Sequence, residues 1–179
     1  DPLIHIPLGL GKMHDKRAHD WGYDAEPEQR MNGREIEAMR GKVVGGSSSI
    51  NVMAYVRGHR GDYDRWADNG ATGWAYADVL PYFRRMESWE GGEDTWRGGD
   101  GPLHTQSAKS QDPLWEAWLE AGMTAGIGYT EDYNGEKQEG LGRSQSNIHE
   151  GRRHSAATAF LRPAMRRGNV DLRVSTPVS

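Results

Sequence analysis

Cysteine is absent from the sequence, and no apolar run is long enough to cross a bilayer. The first absence excludes disulfides, thiolate catalysis and cysteine-based metal sites, and the second predicts no transmembrane span. The net charge of −4 gives no reason to expect nucleic acid or an anionic membrane as a partner. The sequence begins at Asp1 without a methionine, so the lack of a signal peptide says little about export. A cysteine-free chain fits a reducing compartment, and we expect a cytoplasmic location.

Common nucleotide-binding and catalytic motifs are also absent. Gly9–Lys12 resembles the end of a phosphate-binding loop, but Met13 replaces the required hydroxyl residue, and His14 stands where a dinucleotide fingerprint needs its third glycine. No serine occupies a Gly-x-Ser-x-Gly elbow. The histidine pairs are five residues apart rather than the four that place two ligands on one helical face, so we expect no metal site; the pairs are His14/His19 and His149/His154.

Glycine is abundant, with 24 residues, and the segment Gly41–Asn51 places a glycine pair directly before three serines. Paired glycines let a backbone approach a ligand that a Cβ would exclude. Hydroxyl groups and a helix N-terminus could then donate hydrogen bonds to an anion such as a pyrophosphate. Two interpretations stay open from these residues alone: an anion-binding loop, or an ordinary turn from a strand into a helix.

The first 40 residues predict loops and short extended pieces rather than helices, because prolines interrupt them. Asn32-Gly33 predicts a tight hairpin turn, with residues 34–39 as the returning strand. Residues 45–49 read as a small-residue loop. At the other end, Val170, Leu172 and Val174 alternate as in a half-buried strand, which must pair with earlier residues or with something outside this chain.

Five helices are predicted between these ends. The segments are 50–56, 62–68 with Asp62 as its cap, 78–89 with Asp78 as its cap, one that begins at Asp112-Pro113 and ends at Gly126, and 155–165. The charges of Arg84, Arg85 and Glu87 are interpreted as a solvated helix face. Residues 91–101 are predicted to form a loop, and residues 132–135 a turn.

The stretch Arg40–Gly58 closely resembles the first signature of the glucose-methanol-choline (GMC) oxidoreductases, and the match extends to Asp64. Flanking motifs are similar to this family, especially its bacterial choline and alcohol dehydrogenase branch, and they occur in the family's order. They are Asp20-Trp21-Gly22-Tyr23 with Glu26-Pro27, Trp74-x-Tyr76-x-Asp78-Val79-Leu80-Pro81-Tyr82-Phe83, Gly98-Gly99-Asp100-Gly101-Pro102-Leu103, Asp132-Tyr133-Asn134-Gly135, and Gly151-Arg152-Arg153-x-Ser155 with Ala159-Phe160-Leu161.

The resemblance implies an FAD-dependent enzyme that oxidises an alcohol by hydride transfer to the flavin. By motif position, Ser47 and Asn51 would contact the FAD, and Val52, Met53 and Ala54 would pass beside the isoalloxazine ring. Further residues would line the same groove, namely Arg40, Val43 and Gly46. Some members attach the flavin through a histidine at the position of Arg40, and because arginine cannot form that bond we expect non-covalent FAD.

The resemblance further implies an α+β segment of an α/β FAD-binding fold of the GMC type. The family's dinucleotide-binding unit precedes the start of this chain, and its catalytic histidine region follows the end. The implied parts are residues 1–61 of the FAD domain, residues 62–150 of a cap and the start of the substrate domain, and residues 151–179 returning to the FAD domain. We therefore expect the chain alone to be inactive and to bind FAD weakly or not at all. The alternative is a catalytically silent binding module or remnant.

Overall fold

In the computed structural model, residues 1–177 are described, and they form two compact units. The terminal unit comprises Asp1–Met53 and the C-terminal segment from Glu150, and the central unit is Ala54–His149. The helices and strands in chain order are α1 Pro2–His5, α2 Leu10–Asp15, α3 Arg60–Asp68, α4 Tyr76–Met86, β1 Glu87–Trp89, β2 Leu103–Ser107, α5 Pro113–Thr124, β3 Gln145–Ser146, β4 Ile148–His149, β5 Arg152–Arg153 and α6 Arg162–Arg166.

The terminal unit begins with two short helices, so the prediction of loops for this stretch was wrong. The Asp1 carboxylate accepts a hydrogen bond from the Leu3 N–H at 2.9 Å, and Pro2 occupies the first turn, where its missing N–H costs nothing. A 3₁₀ turn, Pro7–Gly9, leads into α2. The prolines that argued against a long helix therefore begin short ones.

The predicted hairpin turn is confirmed. Asn32 and Gly33 both have positive φ, at 58° and 70°, as a tight turn of this kind needs. The chain returns antiparallel through isolated bridges at Glu28↔Arg34, Asp24↔Glu37 and Asp20↔Gly41. The predicted returning strand over 34–39 is therefore a series of single bridges and not a continuous strand.

Two further predictions in the terminal unit differ from the structure. Residues 155–165 are helical as expected, but Ala157–Leu161 form a π-helical turn before α6 begins at Arg162. Residues 170–174 form no strand, and Val170, Leu172 and Val174 stay exposed. Alternating apolar residues define a strand only where a partner edge is available, and none of the described residues pairs with this segment.

The central unit has a three-stranded sheet of order β1-β2-β3. β1 pairs parallel with β2, with Glu87 opposite Leu103, and β2 pairs antiparallel with β3, with Gln106 opposite Ser146.

The helices α3, α4 and α5 belong to the same unit. The predicted start of α5 is confirmed, because Asp112 caps the Leu114 N–H at 2.9 Å. Gly126, with φ 81°, follows the end of α5. The predicted turn at 132–135 is closed by a hydrogen bond from the Gly135 N–H to the Asp132 carbonyl.

The caps of α3 and α4 are not the predicted ones. The imidazole of His59 accepts the Gly61 N–H at 3.1 Å and begins α3, while Asp62 pairs with Arg65 one turn along. The helix α4 begins at Tyr76 rather than at Asp78, because the carboxylate of Asp64 accepts the Tyr76 N–H at 2.9 Å. The acceptor for the first N–H group of α4 is thus Asp64, twelve residues earlier in the chain, and not Asp78 as predicted from the sequence.

The core of the central unit is an ion cluster around Glu87, which contradicts the prediction that this residue lies on a solvated face. Glu87 is fully buried and lies 2.6 Å from both Arg57 and Arg97. The hydroxyl of Thr105 donates to the same carboxylate at 2.9 Å. The predicted helix over 78–89 therefore ends at Met86, because β1 turns Glu87 inward beside β2.

The cluster extends from Arg97 to Asp132, whose two oxygens both lie 2.8 Å from Arg97 Nη1. Burial by itself raises the pKa of Asp132, but hydrogen bonds from Gln145 and Arg97 outweigh it and lower the pKa below its usual value. The face of Trp89 covers the Arg97 guanidinium at 3.9 Å. Each buried charge of this cluster thus has an opposite charge or a π face beside it.

Within the described part of the chain, no helix combines the length and apolarity needed to cross a membrane.

We expect Glu87→Gln to destabilise the protein strongly. Among residues 1–177, the substitution leaves Arg57 with no carboxylate partner and Arg97 with Asp132 alone, and breaking a buried ion pair costs about 3–5 kcal/mol. Urea denaturation gives the free energy of unfolding. The matched control is Glu93→Gln, which removes an exposed partner of Arg84 and is expected to cost about 1 kcal/mol or less. Equal losses in the two variants would show that the buried cluster does not stabilise this unit.

Candidate cofactor-binding site

The terminal unit contains a groove of about 510 Å³ between α2 and the segment that follows the glycine pair. Its wall is mostly apolar, with a few polar groups. The lining residues are Leu10, Gly11, His14, Met39, Ser47, Ile50, Asn51 and Val52. An apolar cavity with a small number of oriented polar groups is the usual form of a small-molecule site.

The loop beside this groove depends on two glycines. A Cβ on Gly41 would lie 2.3 Å from the Gly46 carbonyl oxygen, so no other residue fits there without moving the backbone. Gly45 has φ 94°, and a Cβ on it would meet Ser49 Oγ at 2.5 Å and Ala157 Cβ at 3.0 Å. These contacts fold residues 41–49 tightly, and residues 46–49 form a 3₁₀ turn in place of the predicted loop.

The hydroxyl groups of the three serines of the loop make different hydrogen bonds. Ser48 donates to the Gly45 carbonyl at 2.6 Å and accepts the Ala156 N–H at 2.9 Å, while Ser49 donates to the Val44 carbonyl at 2.9 Å. Both hydroxyls therefore hold the loop itself together. Ser47 is exposed and accepts the Gly41 N–H at 3.1 Å, which leaves its hydroxyl hydrogen as a donor for a ligand in the groove.

The Asn51 side chain is held through its oxygen. Oδ1 accepts the Met53 N–H at 3.0 Å and the guanidinium of Arg153 at 2.8 Å. Among the described residues, its amide nitrogen has no hydrogen-bond partner, and Asn51 is exposed on the groove wall. Asn51 therefore presents an NH₂ donor to whatever fills the groove.

The chain after Asn51 is not helical, which corrects the predicted helix over 50–56. Met53 is buried and has φ 63°, a left-handed conformation that is uncommon for a residue with a long side chain. Its N–H is satisfied by the Asn51 side chain rather than by a helical carbonyl. Val52, one residue earlier, is 67% exposed and lines the groove. The left-handed backbone at Met53 thus lets Val52 face the groove while the Met53 side chain is buried.

The structure brings together some of the residues named from the sequence and not others. Ser47, Asn51 and Val52 line the groove, whereas Met53 is buried away from solvent. Arg40 is exposed, and its N–H donates to Asp20, lowering the pKa of that carboxyl. The remaining residues do not line the groove; they are Val43 and Gly46, which are half-buried in the loop, and Ala54, which pairs with Ser146 in the central unit.

Several groove residues were missed by reasoning from sequence. Leu10 and His14 come from α2, which was not predicted, and their i, i+4 spacing on a short helix was the available signal. Arg153 was noted only as part of a motif. It is buried with no carboxylate beside it among the described residues, and burial lowers the pKa of its guanidinium.

A second cavity, of about 570 Å³, lies in the central unit and has a different character. Its walls are largely aromatic, and its lining residues are Tyr63, Trp66, Gly73, Trp74, Val79, Tyr82 and Phe83. The edge-on packing of these rings accounts for its shape; the ring centroid of Tyr63, for example, lies 5.3 Å from that of Trp66 and 5.7 Å from that of Phe83.

Comparison with protein families gives a match over nearly the whole chain. The family model for GMC oxidoreductases covers residues 12–179. The chain is 56% identical over 171 residues to the oxygen-dependent choline dehydrogenases of Brucella anthropi and of Sinorhizobium medicae. Each match covers 96% of this chain but only 31% of the relative. The chain belongs to the GMC oxidoreductases, and it spans less than a third of the length of these relatives.

Solved structures agree with this assignment. Pyridoxine 4-oxidase from Mesorbium loti superposes with a TM-score of 0.82 at 35% identity, over 93% of this chain and 33% of that one. An FAD-dependent oxidoreductase from Chaetomium thermophilum gives a TM-score of 0.80 at 26% identity, over 93% and 30% of the two chains. The fold is therefore part of the α/β FAD-binding fold expected from the sequence.

We expect Gly41→Ala to disrupt the loop beside the groove. The added Cβ would lie 2.3 Å from the Gly46 oxygen, which is backbone and cannot rotate away. The melting temperature measured by circular dichroism should fall by several degrees, corresponding to a loss of about 1–3 kcal/mol. The matched control is Gly11→Ala in α2, where a Cβ meets nothing within 4 Å and a small gain is expected. An unchanged melting temperature for Gly41→Ala would contradict the close approach.

Proposed function

We propose that this chain is the flavin-contacting segment of an FAD-dependent enzyme that oxidises an alcohol. The observation that carries the proposal is the groove of the terminal unit, where the Ser47 hydroxyl and the Asn51 amide are both left as donors on a mostly apolar wall. A flavin offers a flat apolar ring system with hydrogen-bond acceptors at its edge, so the donor set suits it. The whole enzyme would combine this segment with the remainder of the polypeptide.

The roles of individual residues extend this proposal. Ser47 and Asn51 would donate to the cofactor, while Val52 would pack beside the ring, with Met53 and Ala54 continuing the segment. Met53 is buried, so we assign it the task of fixing the backbone rather than of touching the ring face. Arg40, Val43 and Gly46 would shape the approach to the groove through the tightly folded loop.

Bound FAD would supply the acceptor for a hydride from the alcohol carbon, while the protein orients the cofactor and excludes water. Arg40 occupies the position at which some family members carry a flavin-linked histidine, and a guanidinium forms no such bond. We therefore assign non-covalent FAD. We also expect the isolated 179 residues to bind it weakly or not at all, because they span less than a third of the relatives.

The substrate class is a small alcohol. Two relatives at 56% identity are named choline dehydrogenases, so choline is the first compound to test, although the substrate pocket would be completed by residues outside this chain. A cytoplasmic location and the absence of a nucleic-acid partner stay part of this proposal. They rest on the composition of the sequence, including the net charge of −4 and the lack of cysteine.

The test is purification of the full-length protein that contains this sequence, followed by visible absorbance and FAD titration. A flavin spectrum should appear, and acid denaturation should release the FAD into solution. Ser47→Ala should weaken FAD binding about two- to tenfold, as expected for one lost hydrogen bond. The control Ser110→Ala alters an exposed serine of the central unit and should leave the affinity unchanged.

A folded, colourless full-length protein that takes up no FAD would refute the proposed function. It would favour the alternative of a catalytically silent module. Normal FAD affinity in Ser47→Ala would keep the enzyme class but would remove Ser47 from the cofactor site.

A further inference from the structure

We infer that Arg153 is a positioning residue for the flavin: its guanidinium orients the Asn51 amide so that the NH₂ group faces the cofactor groove. The inference rests on the proposed function, because it assumes that FAD fills this groove. It assigns to Arg153 a task that does not involve touching the cofactor.

The contacts of Arg153 converge on the loop beside the groove. Nη1 donates to the Asn51 carbonyl oxygen at 2.7 Å and to Asn51 Oδ1 at 2.8 Å, with a longer contact to the Ser48 carbonyl at 3.3 Å. Nε donates to the Ile4 carbonyl at 2.8 Å. One side chain therefore ties the main chain and the side chain of Asn51 to the segment that leads into α2.

These contacts decide which way the Asn51 amide points. An asparagine amide has an oxygen that accepts and a nitrogen that donates, and its two orientations are nearly equal in shape. Two donors, the Arg153 guanidinium and the Met53 N–H, both meet the same end of the amide. A reversed amide would place NH₂ against two N–H donors. The oxygen is therefore held toward Arg153, and the nitrogen is left for the groove.

The burial of Arg153 supports a dedicated role. The residue is only 2% exposed, and among the described residues every partner it has is a neutral oxygen rather than a carboxylate. Its Nη2 is buried and has no hydrogen-bond partner within residues 1–177. Burying a charge with incomplete pairing is unfavourable. Because its own hydrogen bonding is incomplete, its placement is better explained by what it does to Asn51.

The geometry, rather than the charge, is what the inference requires. A lysine at position 153 keeps the positive charge but cannot donate to the Ile4 carbonyl and to both oxygens of Asn51 through a planar fork. An aspartate at position 51 keeps both acceptor contacts to Arg153 and Met53 but has no NH₂ to offer the groove. Arg153→Lys and Asn51→Asp therefore remove the same donor in two independent ways, and the second retains the loop contacts.

The experiment measures FAD affinity in the full-length protein by flavin fluorescence, together with the visible circular dichroism of the bound flavin. We expect Arg153→Lys and Asn51→Asp each to weaken FAD binding about tenfold or more, since each removes one oriented donor. The double variant should be little worse than either single one, because both act through the same group. The control is Arg152→Lys, which alters the exposed neighbouring arginine and should leave the affinity and the spectrum unchanged.

Each outcome decides the question. Wild-type affinity in Arg153→Lys would overturn the inference, and so would fully additive losses in the double variant, which would indicate a separate structural role. If Arg153→Lys fails to fold, normal FAD affinity in Asn51→Asp would still overturn the inference. A wild-type protein that binds no FAD would refute the proposed function itself, which separates that failure from a failure at Arg153.

Discussion

The close approach of Gly41 to the Gly46 carbonyl is the constraint on which the candidate site depends. A Cβ at position 41 would lie 2.3 Å from that oxygen, so the loop can fold in this way only with glycine there. The fold of the loop brings Ser47 to the groove and leaves Ser48 and Ser49 to hold the turn. The donors available to a cofactor therefore follow from a steric requirement of the backbone.

The two units bury charged groups in different surroundings. The central unit buries Glu87 between Arg57 and Arg97, with Asp132 completing the cluster, so its interior is held by paired charges. The terminal unit buries Arg153 against carbonyl and amide oxygens. The charges of the cluster pair with one another inside the central unit, whereas the guanidinium of Arg153 donates to the loop beside the groove, at Ser48 and Asn51.

The sequence predicted correctly those caps and turns that depend on neighbouring residues in the chain. The Asp112-Pro113 cap and the Asn32-Gly33 turn were foreseen because each depends on residues that are adjacent in the chain. The burial of Glu87 was not foreseen, since its partner Arg57 is thirty residues away. In the site, the signature motif indicated Ser47 and Asn51. The hydrogen bond from Arg153 to Asn51 joins residues 102 positions apart, and no periodic pattern in the sequence indicates it.

Hydrogen–deuterium exchange of the full-length protein, with and without FAD, tests most directly whether the groove is the cofactor site. Binding should slow exchange of the backbone amides in Gly41–Met53, because a ligand on this wall orders the loop and covers Val52. Exchange around the buried Glu87 cluster should stay unchanged. Protection that appears elsewhere and leaves Gly41–Met53 unaffected would contradict the assignment of FAD to this groove.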